Sequence, residues 1–187
     1  MISSGLAARL LAMRDADQAA HRATVDGDNL YLPPGHPSYL AHRQTVECNT
    51  GRLKAIVDEC GWPTISMVGR EAASAAWLLA QHSDHDPAFQ SRVVDLMAEA
   101  GDDIDRTDWA YLVDRLACGR GEPQEYGTQL EWCDGGLRAR KLRDPGDVDR
   151  RRTAVGLQPL AEYLDAARRI IPGRGREDAS GDQAPER

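Results

Sequence analysis

"SMVGREAASAAWLLAQH", residues 66–82, decides the fold. Ala72, Ala73, Ala75, Ala76, Leu78, Leu79 and Ala80 leave no broad polar face, and side chains this small let neighbouring elements approach closely. The pattern predicts one central helix, with Ser66 as N-cap and an end near His82, and it requires other helices around it.

Those helices are visible on both sides. Downstream, Asp86 and Pro87 suit the N-cap and first turn of a helix whose core face is Phe89, Val93, Leu96, Met97 and Ala100, ending at Gly101. Asp105 caps the next one: Ile104 and Trp109 occupy the two positions of a hydrophobic staple, Leu112, Val113 and Leu116 face inward, and Gly119 stops it. Upstream, a helix over about 38–60 carries Leu53, Ile56, Val57 and Cys60 and is stopped by "GWP" at 61–63. A first helix over 3–25 carries Leu6, Leu10 and Met13. Between these two, "GDNLYLPPGHPS" at 27–38 reads as a loop, because its prolines deny the backbone a helix. The stretch "QLEWCDGGLRARKL" at 129–142 reads as a β-hairpin turning at Asp134-Gly135 or Gly135-Gly136. A helix over 148–155 and a last amphipathic one opened by Pro159 follow. Residues 172–187 are polar and aperiodic and read as a disordered tail. The expectation is a mainly α, single-domain antiparallel helical bundle over residues 1–171, with a small β-hairpin near 129–142.

The chain has 187 residues and a net charge of -7, which argues against a nucleic-acid or anionic-membrane surface, since either needs clustered positive charge. The first residues hold no long apolar run, so neither a secretory leader nor a membrane span is expected, and the reading is a cytoplasmic protein. Cys48, Cys60, Cys118 and Cys133 form no C-x-x-C pair and read as buried thiols. Phosphate-loop, dinucleotide, zinc-protease and nucleophile-elbow motifs are missing, so no cofactor is assigned.

Polar residues interrupt the apolar stripes in a consistent way. The first helix ends in Asp17, Gln18, His21 and Arg22, the second begins with His42 and Arg43, and the central one exits at Gln81 and His82. If successive helices reverse direction, these groups share one end of the bundle. "GRGEPQEYGTQLEW" at 119–132 leaves the fifth helix toward the same end, and Gln124, Tyr126 and Gln129 would roof a polar cavity there. A cluster of buried polar groups means a self-satisfied network or a ligand. The competing reading is that Gln124 and Gln129 bond loop backbone and that Asp114 and Arg115 form a structural ion pair. "QHSDHD" at 81–86 offers imidazoles and carboxylates, but two histidines three apart supply only part of a zinc site, and no metal is assigned.

The chain resembles a bacterial family of small domains of unknown function. The resemblance rests on "DADQAAHR" at 15–22, "GWPT" at 61–64, "WLLAQHSD" at 77–84, "YLVDRL" at 111–116, "GEPQEYGTQ" at 121–129 and "VDRRRTAVGLQPLAEYL" at 148–164. It implies that Asp17, Gln18, Arg22, Gln81, His82, Asp114, Arg115, Gln124, Tyr126, Gly127, Gln129, Arg151 and Arg152 match the family pattern. His36, His85 and the cysteines lie outside that pattern, and the family brings no settled activity.

Two functional expectations follow. The first is a small cofactor-free enzyme of bacterial secondary metabolism, acting on a polar, anionic small molecule by acid–base catalysis. His82 would carry the proton, Asp17 or Asp114 would partner it, Tyr126 would assist, and Arg22 and Arg152 would hold the anion. Gln18, Gln81, Arg115, Gln124, Gln129 and Arg151 complete the expected binding set. The second is a non-catalytic module that binds a metabolite or protein in the same cavity. The sequence leaves oligomeric state open.

Overall fold

The computed structural model describes residues 3–25, 32–33, 35–133 and 136–170. The expected hairpin turn at 134–135 and tail at 172–187, with most of the loop between the first two helices, lie outside the described residues. Eight α-helices and one two-stranded hairpin make up the described part: α1 Ser4–Arg22, α2 Pro37–Cys60, α3 Ile65–Val68, α4 Arg70–Gln81, α5 Pro87–Glu99, α6 Arg106–Gly119, β1 Leu130–Cys133, β2 Gly136–Ala139, α7 Val148–Ala154 and α8 Leu160–Ile170. β1 and β2 pair antiparallel, with Leu130 opposite Ala139 and Trp132 opposite Leu137. A mainly α fold with a small hairpin is what the sequence pattern anticipates. Among the described residues no helix is long and apolar enough to cross a membrane.

The local signals place most of the helix starts. Asp86 Oδ1 accepts from Phe89 N at 3.0 Å, and Asp105 Oδ1 accepts from Thr107 N at 2.9 Å, so both carboxylates satisfy helix N–H groups that would otherwise lack partners. Ile104 lies in the main core and Trp109 packs against it. At α2 the cap is His36, whose Nδ1 accepts from Ser38 N at 3.2 Å, with Pro37 at the first position.

The central stretch differs from its expectation. It does not run unbroken from Ser66: Gly69, at φ 83, separates the single turn of α3 from α4. The cause is tertiary. Asp103, in the turn between α5 and α6, accepts from Ser66 N at 2.8 Å and Ser66 Oγ at 2.5 Å, while its carbonyl accepts from Ile65 N at 2.9 Å. This clip fixes α3 at its own angle, and glycine supplies the left-handed joint that few other residues tolerate.

Helix α4 is central as expected, packing on α1, α2, α3, α5 and α6. Ala72, Ala75, Ala76, Leu79 and Ala80 are almost fully buried and meet Leu10, Leu53, Ile56, Val93 and Leu112 in one continuous core. Contacts along the axes give the directions. Ser3 N reaches Met67 O while Asp17 reaches His82, so α1 and α4 run the same way. Asn49 Nδ2 donates to Met13 O at 3.2 Å and the rings of His21 and His42 are neighbours, so α2 runs against α1. Trp77 touches Tyr111 and Asp84 pairs with Arg115, which sets α6 alongside α4. The C-terminal ends of α1, α4 and α6 therefore lie toward one end.

The thiols depart from expectation. Cys48 and Cys60 are exposed and Cys118 and Cys133 half-buried. Cys60 lies at the edge of the α2 stripe that Ile56 and Val57 bury, with its Sγ turned back on Ile56 O at 3.2 Å.

Candidate functional site

Where α1 ends, α2 begins and α4 ends, three imidazoles gather, and one of them meets a buried carboxylate. Asp17 is 1% exposed and its Oδ2 lies 2.6 Å from Nδ1 of His82, whose side chain is 23% exposed. A carboxylate only accepts, so Nδ1 carries the proton and Nε2 is left as the free basic nitrogen of a ring that reaches solvent. Asp17 Oδ1 is buried with no hydrogen-bond partner among the described residues. The imidazole is thus the carboxylate's main stabilising contact, and its orientation is strongly fixed.

His21 lies 6.4 Å from the His82 ring and 5.3 Å from that of His42, centroid to centroid. Burial pushes the His42 pKa down and the neighbouring His21 adds to this, while Asp17 opposes it. Burial and the neighbouring imidazoles of His21 and His82 thus favour the neutral form of His42 beside the Asp17–His82 pair. Beside His42 a hollow of about 500 Å³ is lined by Gly35, Tyr39, Leu40 and Arg43. Among the described residues no group of three or more His, Cys, Asp or Glu side chains is arranged to hold a metal ion. The "QHSDHD" stretch is taken apart by other bonds: Asp84 pairs with Arg115, and Asp86 caps α5 and binds Lys54 at 2.7 Å.

The loop after α6 does not roof this cluster. Asp114, 0% exposed, accepts from Glu125 N at 2.8 Å, Tyr126 N at 3.0 Å, Thr128 N at 2.8 Å and Thr128 Oγ1 at 3.0 Å. Burial pushes its pKa up, and those donors, all favouring the anion, pull against that. By capturing these N–H groups the carboxylate draws residues 124–128 back along α6 toward its start, where the Tyr126 ring meets Trp109 edge-on at 6.1 Å. Gly127, at φ 73, makes the turn, and a Cβ there would fall 2.9 Å from Leu160 Cδ1. Gln124 is fully buried and bonds only backbone: Nε2 donates to Gln129 O and Arg140 O, and Oε1 accepts from Gln129 N.

Two of the three arginines of α7, Arg151 and Arg152, complete this second network. Arg152 is 0% exposed; Nε donates to Gln158 O at 2.6 Å, Nη1 to Tyr126 O at 2.5 Å, and its guanidinium lies 5.0 Å from the Tyr163 ring centre. Arg151 donates to the carbonyls of Glu125, Arg143 and Asp144. The single hollow expected from the sequence is therefore two separate arrangements. One brings His82 and Asp17 together with His21 and His42. The other joins Asp114, Gln124, Tyr126, Arg151 and Arg152 in a scaffold that folds the loop, in which Arg152 Nε and Nη1 are taken up by carbonyls and Nη2 is buried without a partner among the described residues.

The remaining expected residues are scattered. Gln18 is half-buried beside Asp17, and Arg22 is exposed in the last turn of α1. Gln81 is buried, with Oε1 unpartnered among the described residues. Arg115 pairs not with Asp114 but with Asp84, by two bonds of 2.7 and 2.5 Å, and with Gln129 lines a cavity at the end of α6. One residue the sequence reading missed is Asp108, half-buried against Ser74, whose pKa is pushed up to about 6 by burial and by Asp105. In sequence it is only an acid in the first turn of a helix, a position the helix dipole favours anyway.

A helical bundle with a carboxylate–imidazole pair at one end and a carboxylate-bound loop on one flank is the class defined by this geometry. The chain belongs to the family of unknown function DUF6624, which it matches over residues 4–171. Comparison with curated proteins and with solved structures returned no match.

Proposed function

We propose that this protein is a small acid–base enzyme acting on a polar small molecule, with Nε2 of His82 exchanging the proton and Asp17 orienting the ring. The observation that carries this reading is the 2.6 Å contact between a carboxylate with no other partner among the described residues and an imidazole that still reaches solvent. Such a carboxylate fixes one tautomer and stabilises the imidazolium that forms when the ring takes a proton. A purely structural pair gains nothing from solvent access at the imidazole, whereas a proton carrier requires it. Arg22 and the ring of His42 are the groups available to bind substrate. In this role Tyr126 and Asp114 drop out, because their positions serve the loop.

The second reading, a binding module without turnover, draws support from the hollow beside His42, a space for a ligand that needs no chemistry. One experiment separates the two. A metabolite panel is screened by melting shift, and each stabilising compound is then incubated with the protein and followed by mass spectrometry. The enzyme reading expects a product, a loss of about 10²–10⁴-fold in rate in His82→Ala and a smaller loss in Asp17→Asn, with both variants folded. Stabilisation without any product favours the binding module, and full turnover in His82→Ala removes His82 from the mechanism.

A further inference from the structure

A second cavity lies where α4 exits, α5 starts, α6 ends and the hairpin begins, and it differs in charge from the rest of the molecule. It measures about 400 Å³, within the range of small-molecule sites, and its polar lining is Asp84, Gln90, Arg115, Arg120, Gln129 and Arg140. Three guanidiniums thus face one carboxylate in a chain whose net charge is -7. Asp84 is already taken, being held at both oxygens by Arg115. No hydrogen bond or ion pair involves the Arg120 or Arg140 side chain among the described residues, so two guanidiniums that line the cavity have no protein acceptor there.

The acceptor that suits them can be specified. A lone carboxylate has two oxygens and satisfies one guanidinium fork, whereas a phosphate monoester offers three terminal oxygens and close to two charges. Gln129 adds a side-chain amide at the same wall, and Pro87, Leu116 and Leu130 form an apolar side against which an organic body can lie. We infer that this cavity binds the phosphate of a small phosphomonoester, with Arg120 and Arg140 clasping it and Gln129 as a neutral contact. The inference does not depend on chemistry at His82. Cys118 also lines the cavity, and burial pushes its thiol pKa up, so it reacts slowly and its alkylation reports whether the space is filled.

The test is calorimetric titration with glycerol 3-phosphate, with succinate and sodium chloride at matched ionic strength as comparators. Wild type and His82→Ala are expected to bind the phosphomonoester equally, and bound ligand to slow Cys118 alkylation. Arg120→Gln and Arg140→Gln each weaken binding by about tenfold, as loss of one charge-assisted pair implies, and the double variant abolishes it. Both arginines are exposed, so their variants should melt like wild type, which the same samples check. Binding that survives in the double variant, absence of binding, or succinate binding as tightly with the same arginine dependence would each overturn the assignment.

Discussion

Asp17 and Asp114 are equally buried carboxylates on parallel helices that flank α4, and they do opposite things. Asp114 collects three backbone N–H groups and a hydroxyl from one short loop, while Asp17 has a single imidazole and an oxygen with no partner among the described residues. A carboxylate saturated by backbone is a fastener, because every bond it makes fixes chain. One that depends on a titratable, solvent-reaching ring can instead stabilise a change of charge. Burial alone would not have distinguished them.

That contrast can be broken by substitution. Asp114→Ala leaves three loop N–H groups without their acceptor and should cost about 3–5 kcal/mol in chemical denaturation, with early hydrogen exchange at residues 124–128. A cost below about 1 kcal/mol would mean the loop holds itself. Arg152→Ala comes next. It strands the carbonyls of Tyr126 and Gln158 and removes a fully buried side chain, for an expected loss of about 3 kcal/mol. Arg152→Lys should recover little, since one ammonium cannot span both carbonyls in the plane a guanidinium provides. Full recovery would reduce Arg152 to a point charge.

The smallest effect concerns Asp108 and has a definite pH sign. Its folded pKa of about 6 lies above the ordinary 3.8. Below about pH 4 the acid is protonated in both states and folding is unaffected. As pH rises from about 4 to about 6 the unfolded chain ionises first, so stability falls, and the penalty is complete above about 6. Asp108→Asn should therefore melt higher than wild type at about pH 7.5, by on the order of 1 kcal/mol once solvent screening is allowed for, and the gap should close near pH 4. A gap that is the same at both pH values would point to Ser74 bonding rather than charge.

Much of this arrangement was legible in the sequence where short-range rules govern it. The Asp105 cap with its Ile104 and Trp109 staple, and the Asp86-Pro87 start, are complete within a few residues. The approach of Asp17 to His82 also followed from periodicity, because extending two apolar stripes brings both residues to the same end. The break at Gly69 was not legible: an alanine-rich pattern runs straight through it, and the clip that decides it comes from Asp103, far along the chain. The direction of the 124–128 loop was misread for a similar reason. Its amides and phenol suggested a cavity roof, but the course is set by which carboxylate takes its N–H groups, and nothing in the loop's composition names Asp114. The raised pKa of Asp108 depends on burial against α4, which only the packed helices determine.

Trp77 meets Tyr111 edge-on at 6.4 Å, and Tyr111 meets Tyr163 in the same way at 6.3 Å, beneath Arg152. This row of rings crosses from the helix that carries the imidazole to the one that closes over the loop. It gives the molecule an intrinsic optical gauge. Indole emission from position 77, isolated by replacing the other three tryptophans, would register a shift on either flank without any attached dye.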